Sequence, residues 1–161
     1  MLWFLKMILS FLQKITLHIR AYRYSFTLKH KGNNLIIAHG VIIGVPENVS
    51  IGDNVYINSN TSLNGQWGLT IGNNVLIGPN TSIWTSNHSF ANRWIPINQQ
   101  WDELSKVVIG NDVWIGAQVV ILPWVTIWDG VVIWAGSIVT RDIPEYSIAV
   151  WNPAKVVKTR K

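Results

Sequence analysis

The aliphatic residues of this chain recur every six positions. Ile109, Ile115, Ile121, Ile127, Ile133 and Val139 form an unbroken ladder, and Ile51, Ile57 and Leu63 keep the same beat, which resumes at Ile71, Ile77 and Ile83. A helix repeats at 3.6 and a strand at 2, so a period of six predicts a solenoid of short repeats. With the aliphatic residue as slot one, slot five reads Val55, Thr61, Val75, Thr81, Val113, Val119, Val125, Val131 and Ser137. Slot two reads Gly52, Asn58, Asn64, Gly72, Gly78, Gly110 and Gly116, and slot four reads Asn54, Asn60, Asn74, Asn80, Asp112, Gly130 and Gly136. Large aliphatics inside, small residues two before them, and left-handed-tolerant residues between describe short strands joined by tight turns. Three hexads make one triangular coil of a β-helix.

The chain has 161 residues, 13 Lys and Arg against 8 Asp and Glu, and no Cys. The length suits one domain, in which core size grows with coil number. The absence of Cys excludes disulfides and thiolate metal sites. The net charge of +5 is compatible with a phosphate-bearing ligand, an anionic membrane surface or merely solvated ends. Nucleic acid is not an expected partner, because no helix-turn-helix, zinc-finger or RNA-binding signature is present. Residues 1–31 are expected to form a helical segment, residues 32–145 the β-helix with an excursion at 89–106, and residues 146–161 a C-terminal tail. The apolar stretch Met1 to Leu12 is too short for the roughly 20 residues a spanning helix needs. It is open to two readings, a helix packed on the solenoid's first coil and a helix lying in a membrane interface.

The beat stops at His88 and resumes at Ile109. An irregular stretch of about twenty residues inside a solenoid reads as an excursion, and such loops tend to carry function. His88 stands at its start. His18, His30 and His39 read as structural.

The strings Ile51-Gly-Asp-Asn-Val, Thr85-Ser-Asn-His-Ser-Phe90, Val108-Ile-Gly-Asn-Asp-Val-Trp-Ile-Gly-Ala117 and Asn152-Pro-Ala-Lys-Val156 resemble the hexapeptide-repeat acyltransferases, most closely the galactoside, maltose and polysaccharide O-acetyltransferases. The resemblance covers roughly Gly44 to Lys158 and implies an all-β fold, a left-handed parallel β-helix; ordinary crossover rules would not give that hand. It implies acetyl-CoA as co-substrate, no metal, and a homotrimer with sites between subunits. His88 would be the general base toward a sugar hydroxyl, a task imidazole suits. Trp114 and Ala117 would flank the pantetheine arm, and Ala135 would offer it backbone hydrogen bonds. Thr140, Arg141 and Lys155 would lie near the nucleotide and its phosphates. Asn87, as an orienting neighbour or a turn residue, and Arg93 are candidate acceptor contacts.

With no Cys and no Gly-x-Ser-x-Gly elbow, direct transfer is favoured over an acyl-enzyme. The expected reaction is O-acetylation of a sugar or cell-surface glycan precursor in the cytoplasm, at the membrane's inner face if the N-terminus docks there. Alternatives are an amino-sugar or xenobiotic acceptor, or a non-catalytic ligand-binding solenoid. A zinc enzyme of the γ-carbonic-anhydrase type is rejected for want of clustered His.

Ten Trp in such a chain are unusual, and several stand where the repeat wants glycine. Trp128 and Trp134 occupy slot two, Trp124 occupies slot four, and Trp151 precedes Asn-Pro-Ala-Lys, where the family has Gly. Trp67 and Trp101 fit the same substitution, with Trp94 a further candidate; Trp114 matches the family, and Trp3 and Trp84 stay open. Gly and Trp share no chemistry. The pattern therefore reads as UGA codons that the source decodes as glycine, translated here as tryptophan. Engineering and a true tryptophan-rich binding face are the alternatives.

Overall fold

In the computed structural model, residues 3–7, 22, 24 and 26–161 are described. The hexads become strands of two or three residues, stacked into three parallel faces. The first face holds His30–Lys31, Val49–Ile51, Leu69–Ile71, Val107–Ile109 and Thr126–Ile127. The third holds Ile42–Gly44, Ser62–Asn64, Ser82–Ile83, Val120–Ile121 and Ile138–Val139. The second starts at Ile36–Ile37 and continues through Tyr56–Ile57, Leu76–Ile77, Trp114–Ile115, Val132–Ile133 and Ser147–Val150. Parallel stacking thus extends slightly beyond 32–145 at both ends. The expected C-terminal tail includes a last strand, Lys155–Thr159, antiparallel to Ser147–Val150. Arg160 clasps it to the solenoid: its guanidinium pairs with the Asp112 carboxylate at 2.9 Å and donates to the Gly130 carbonyl at 3.1 Å.

The slots have the expected roles. Slot-one Ile57, Ile115, Ile121, Ile127 and Ile133 and slot-five Val75, Val119, Val125 and Val131 are completely buried. In the regular hexads from Asn34 to Gly136, slot four has positive φ, between 54° and 74°. Slot four also admits Gln118, which the reading of Asn, Asp or Gly did not include. Slot-two glycines serve close stacking: a Cβ on Gly72 would sit 2.6 Å from the Gly110 carbonyl oxygen, and one on Gly78 would sit 2.5 Å from the Gly116 carbonyl carbon. Slot three adds a side-chain ladder. The carboxyl or amide oxygens of Asp53, Asn73, Asn111 and Asp129 each accept the backbone N–H of the preceding coil's slot-three residue, at 2.6 to 2.9 Å. The turns' freed amides are thereby satisfied.

The tryptophans divide on backbone geometry. Trp124 (φ 64°) and Trp151 (φ 81°) lie in the left-handed region, where a Cβ costs about 1–2 kcal/mol. Trp128 and Trp134 do not, and both project outward, 56% and 58% exposed. The backbone therefore argues against tryptophan at 124 and 151, whereas at 128 and 134 the case rests on the repeat alone.

Substituting Trp124→Gly should raise the unfolding free energy by about 1 kcal/mol, whereas Ile115→Ala should lower it by about 2–5 kcal/mol; chemical denaturation measures both. In protein isolated from its source, glycine masses are expected at positions 124, 128, 134 and 151. Intact tryptophan there in peptide mass spectra would retire the codon reading.

Candidate active site

The excursion leaves the solenoid at the corner between the third and first faces. It does not disturb the stack, because Leu69–Ile71 still pairs with Val107–Ile109 across it. Its base is an antiparallel hairpin of Ser86–His88 and Asp102–Leu104, with His88 directly opposite Asp102. Cross-strand neighbours of this kind bring side chains together. His88 Nδ1 lies 2.8 Å from Asp102 Oδ1. A neutral imidazole that donates Nδ1–H to this carboxylate keeps its lone pair on Nε2, so Asp102 selects the tautomer with a basic Nε2.

A cleft of about 340 Å³ adjoins the pair, lined by Trp84, Ser86, Asn87, His88, Asp102, Val120, Leu122 and Pro123. Its walls are mixed, polar at Ser86, Asn87, His88 and Asp102 and apolar at Trp84, Val120, Leu122 and Pro123, a combination suited to a small ligand with both hydroxyl and apolar faces. Asn87 lines the cleft, and its Oδ1 accepts the His88 backbone N–H at 3.0 Å, so it also shapes the local turn. The His88 side chain is 76% exposed, so this chain by itself does not exclude water from the imidazole.

Trp114, Ala117 and Ala135 come together in a second, more apolar groove of about 480 Å³, with Asn58, Gly78, Pro79, Gly116, Ile133 and Trp134. Glycine at 116 lets the coils meet there, since a Cβ would lie 2.5 Å from the Ala135 nitrogen. Trp134, which stands at a slot-two position, lies in this groove beside Ala135.

The other candidates lie elsewhere. Thr140, Arg141 and Lys155 line neither cavity. Arg141 and Lys155 are exposed near the C-terminal end of the solenoid, and Thr140 is half-buried. Arg93 stacks its guanidinium over Trp94 at 4.5 Å and lines a separate hollow within the excursion, with Phe90, Pro96 and Gln100. Among the described residues, no three His, Asp or Glu gather as a metal-binding group.

Asp102 is not among the candidate site residues read from the sequence. Its partnership with His88 is a product of hairpin register, and fourteen residues separate the two in sequence. Trp84, Leu122 and Pro123 were missed for a related reason: they reach the cleft from different coils.

A family model described as bacterial transferase hexapeptide (six repeats) matches residues 106–141. Staphylococcus aureus relatives are 45% identical over 113 residues, which is 69% of this chain and 55% of theirs. The galactoside O-acetyltransferase of Escherichia coli K12 is 39% identical over 127 residues, which is 79% of this chain and 62% of that protein. The chain thus spans little more than half the length of the curated relatives it matches. A hexapeptide-repeat-containing acetyltransferase from Vibrio cholerae, solved with acetyl-CoA, superposes with a TM-score of 0.83 at 32% identity, covering 89% of this chain and 78% of that one.

Replacing Trp134 with glycine should widen the apolar groove without touching its floor. Coenzyme A is then expected to raise the melting temperature of Trp134→Gly more than that of the parent, and equal shifts would show that the indole does not obstruct the groove. From repeat, fold and relatives together, the chain belongs to the hexapeptide-repeat acetyltransferases, built on their left-handed parallel β-helix.

Proposed function

We propose that the protein is an acetyl-CoA-dependent O-acetyltransferase that acetylates a hydroxyl of a sugar or glycan precursor by direct transfer. The observation that carries this is the His88–Asp102 pair in a cleft of mixed polar and apolar walls. Asp102 holds the imidazole through Nδ1, and Nε2 takes the proton of the acceptor hydroxyl. The resulting oxygen attacks the thioester carbonyl carbon, the C–S bond breaks, and the departing thiolate recovers a proton from the imidazolium. Charge on the carbonyl oxygen needs fixed donors, for which backbone amides at the coil edges are suited. Trp84, Ser86 and Asn87 would contact the acceptor. The second groove would hold the pantetheine arm along Trp114, Ala117 and Ala135, while Thr140, Arg141 and Lys155 would face the nucleotide end.

The two cavities share no lining residue, and the base is open to water on a single chain. Both facts support assembly as a homotrimer, in which the groove of one subunit completes the cleft of the next and closes it from solvent. The apolar, basic N-terminus supports work at the inner face of a membrane.

Free-thiol release from acetyl-CoA over a panel of sugars tests the reading. His88→Ala should lower kcat by about 10²–10⁴-fold. Asp102→Asn should lower kcat by roughly tenfold or more with KM little changed, as expected for loss of orientation rather than binding. Equal turnover in His88→Ala and the parent would overturn the assignment. Mixed trimers of His88→Ala with a groove-blocked Ala117→Trp chain should regain activity if sites lie between subunits, because one interface then carries both intact halves.

A further inference from the structure

The first 46 residues carry +6 and the rest of the chain −1, although Lys155, Lys158, Arg160 and Lys161 form a second basic stretch at the C-terminal end. Residues 1–46 hold Lys6, Lys14, Arg20, Arg23, Lys29 and Lys31 and no Asp or Glu; the first acidic residue is Glu47. The rest of the chain carries 7 basic and 8 acidic residues, so the net +5 resides wholly in the N-terminal part. The same segment is apolar, and its two ends behave differently. At its C-terminal end Leu28 is buried and Tyr24 packs on the core, while the backbone N–H of Gly32 bonds to the Ile51 carbonyl at 2.8 Å. These residues cover the open first coil. Residues 3–7 are helical, yet Trp3, Phe4, Leu5 and Met7 are 75%, 58%, 58% and 47% exposed. Side chains of this size are costly to leave in water. The capping role is filled by Tyr24 and Leu28, so it does not account for them.

Apolar residues with cations and no carboxylates are the composition that partitions into the interface of an anionic bilayer. The large side chains enter the headgroup boundary, and Lys and Arg pair with phosphates. A protein partner would be met by an apolar face with charges of either sign at its rim; the complete lack of acid over 46 residues favours a uniformly negative surface. The apolar run Met1 to Leu12 is shorter than the roughly 20 residues a spanning helix needs, which favours contact with the surface; among the described residues no helix is long and apolar enough to cross a membrane.

We propose that the N-terminal segment 1–31 docks the enzyme onto anionic phospholipid membranes, through its cations and the exposed apolar side chains of residues 3–7. This rests on the membrane-proximal part of the reading above, but not on its chemistry. The acceptors brought within reach are then lipid-linked or membrane-assembled glycans.

The test is co-sedimentation of the full chain with vesicles of phosphatidylglycerol mixed with phosphatidylcholine, against phosphatidylcholine alone. Preferential binding to the anionic vesicles, released by high salt, is expected. Charge reversal at Lys6, Lys14, Arg20 and Arg23 together should lower the bound fraction at least tenfold. Phe4→Ser with Leu5→Ser should weaken binding severalfold while leaving the melting temperature unchanged. Equal binding to both vesicle types, binding by the charge-reversed chain equal to the parent, or no binding to either would overturn the proposal. Thiol release in solution is read separately, so a failure of docking and a failure of the acetyltransferase reading are distinguishable.

Discussion

At the glycine corners of this solenoid successive coils approach so closely that there is almost no room for a side chain, and the rest of the structure depends on that approach. Ladder hydrogen bonds hold the strands at the ordinary sheet spacing. At that spacing a Cβ on Gly52, Gly72 or Gly78 would press into the backbone of the coil above. The turn itself needs a residue with positive φ at slot four, which Asn, Asp and Gly supply most cheaply. Once those two positions are satisfied, the aliphatic residue of each hexad faces inward and the core assembles as a column from Ile37 to Ala149. The oxygens of Asp53, Asn73, Asn111 and Asp129 then tie coil to coil from outside.

This regularity is what lets the protein carry a functional insertion. Each coil contacts chiefly its neighbours, so a loop at a corner disturbs nothing as long as the strands on either side still pair. The excursion after His88 meets that condition. Its hairpin base continues directly from the stacked strands, and the hairpin register fixes where His88 and Asp102 stand relative to each other at the cleft. Under the proposed reaction, a base held this way would need little reorganisation, which favours catalysis by positioning.

The tryptophans show the same constraint from the other side. A repeat with strict slots makes an unsuitable residue visible. Backbone geometry then separates the residues under left-handed strain, Trp124 and Trp151, from those that extend outward, Trp128 and Trp134. Trp134 matters for a different reason, because it shares the apolar groove with Trp114, Ala117 and Ala135.

Much of the fold was legible in the sequence. The period of six, the inward aliphatics, the αL turns and the location of the excursion follow from local chemistry, because each hexad states its own geometry and neighbours only repeat it. His88 was found from where the beat stops, and Trp114, Ala117 and Ala135 from their place in the ladder. The pairing of His88 with Asp102, the contribution of Trp84, Leu122 and Pro123 to the cleft, the clasp of Arg160 on Asp112, and the distance of Arg93 from the cleft were decided only by tertiary structure. Each depends on the register of a hairpin or on the stacking of coils far apart in sequence, and no local periodicity encodes either.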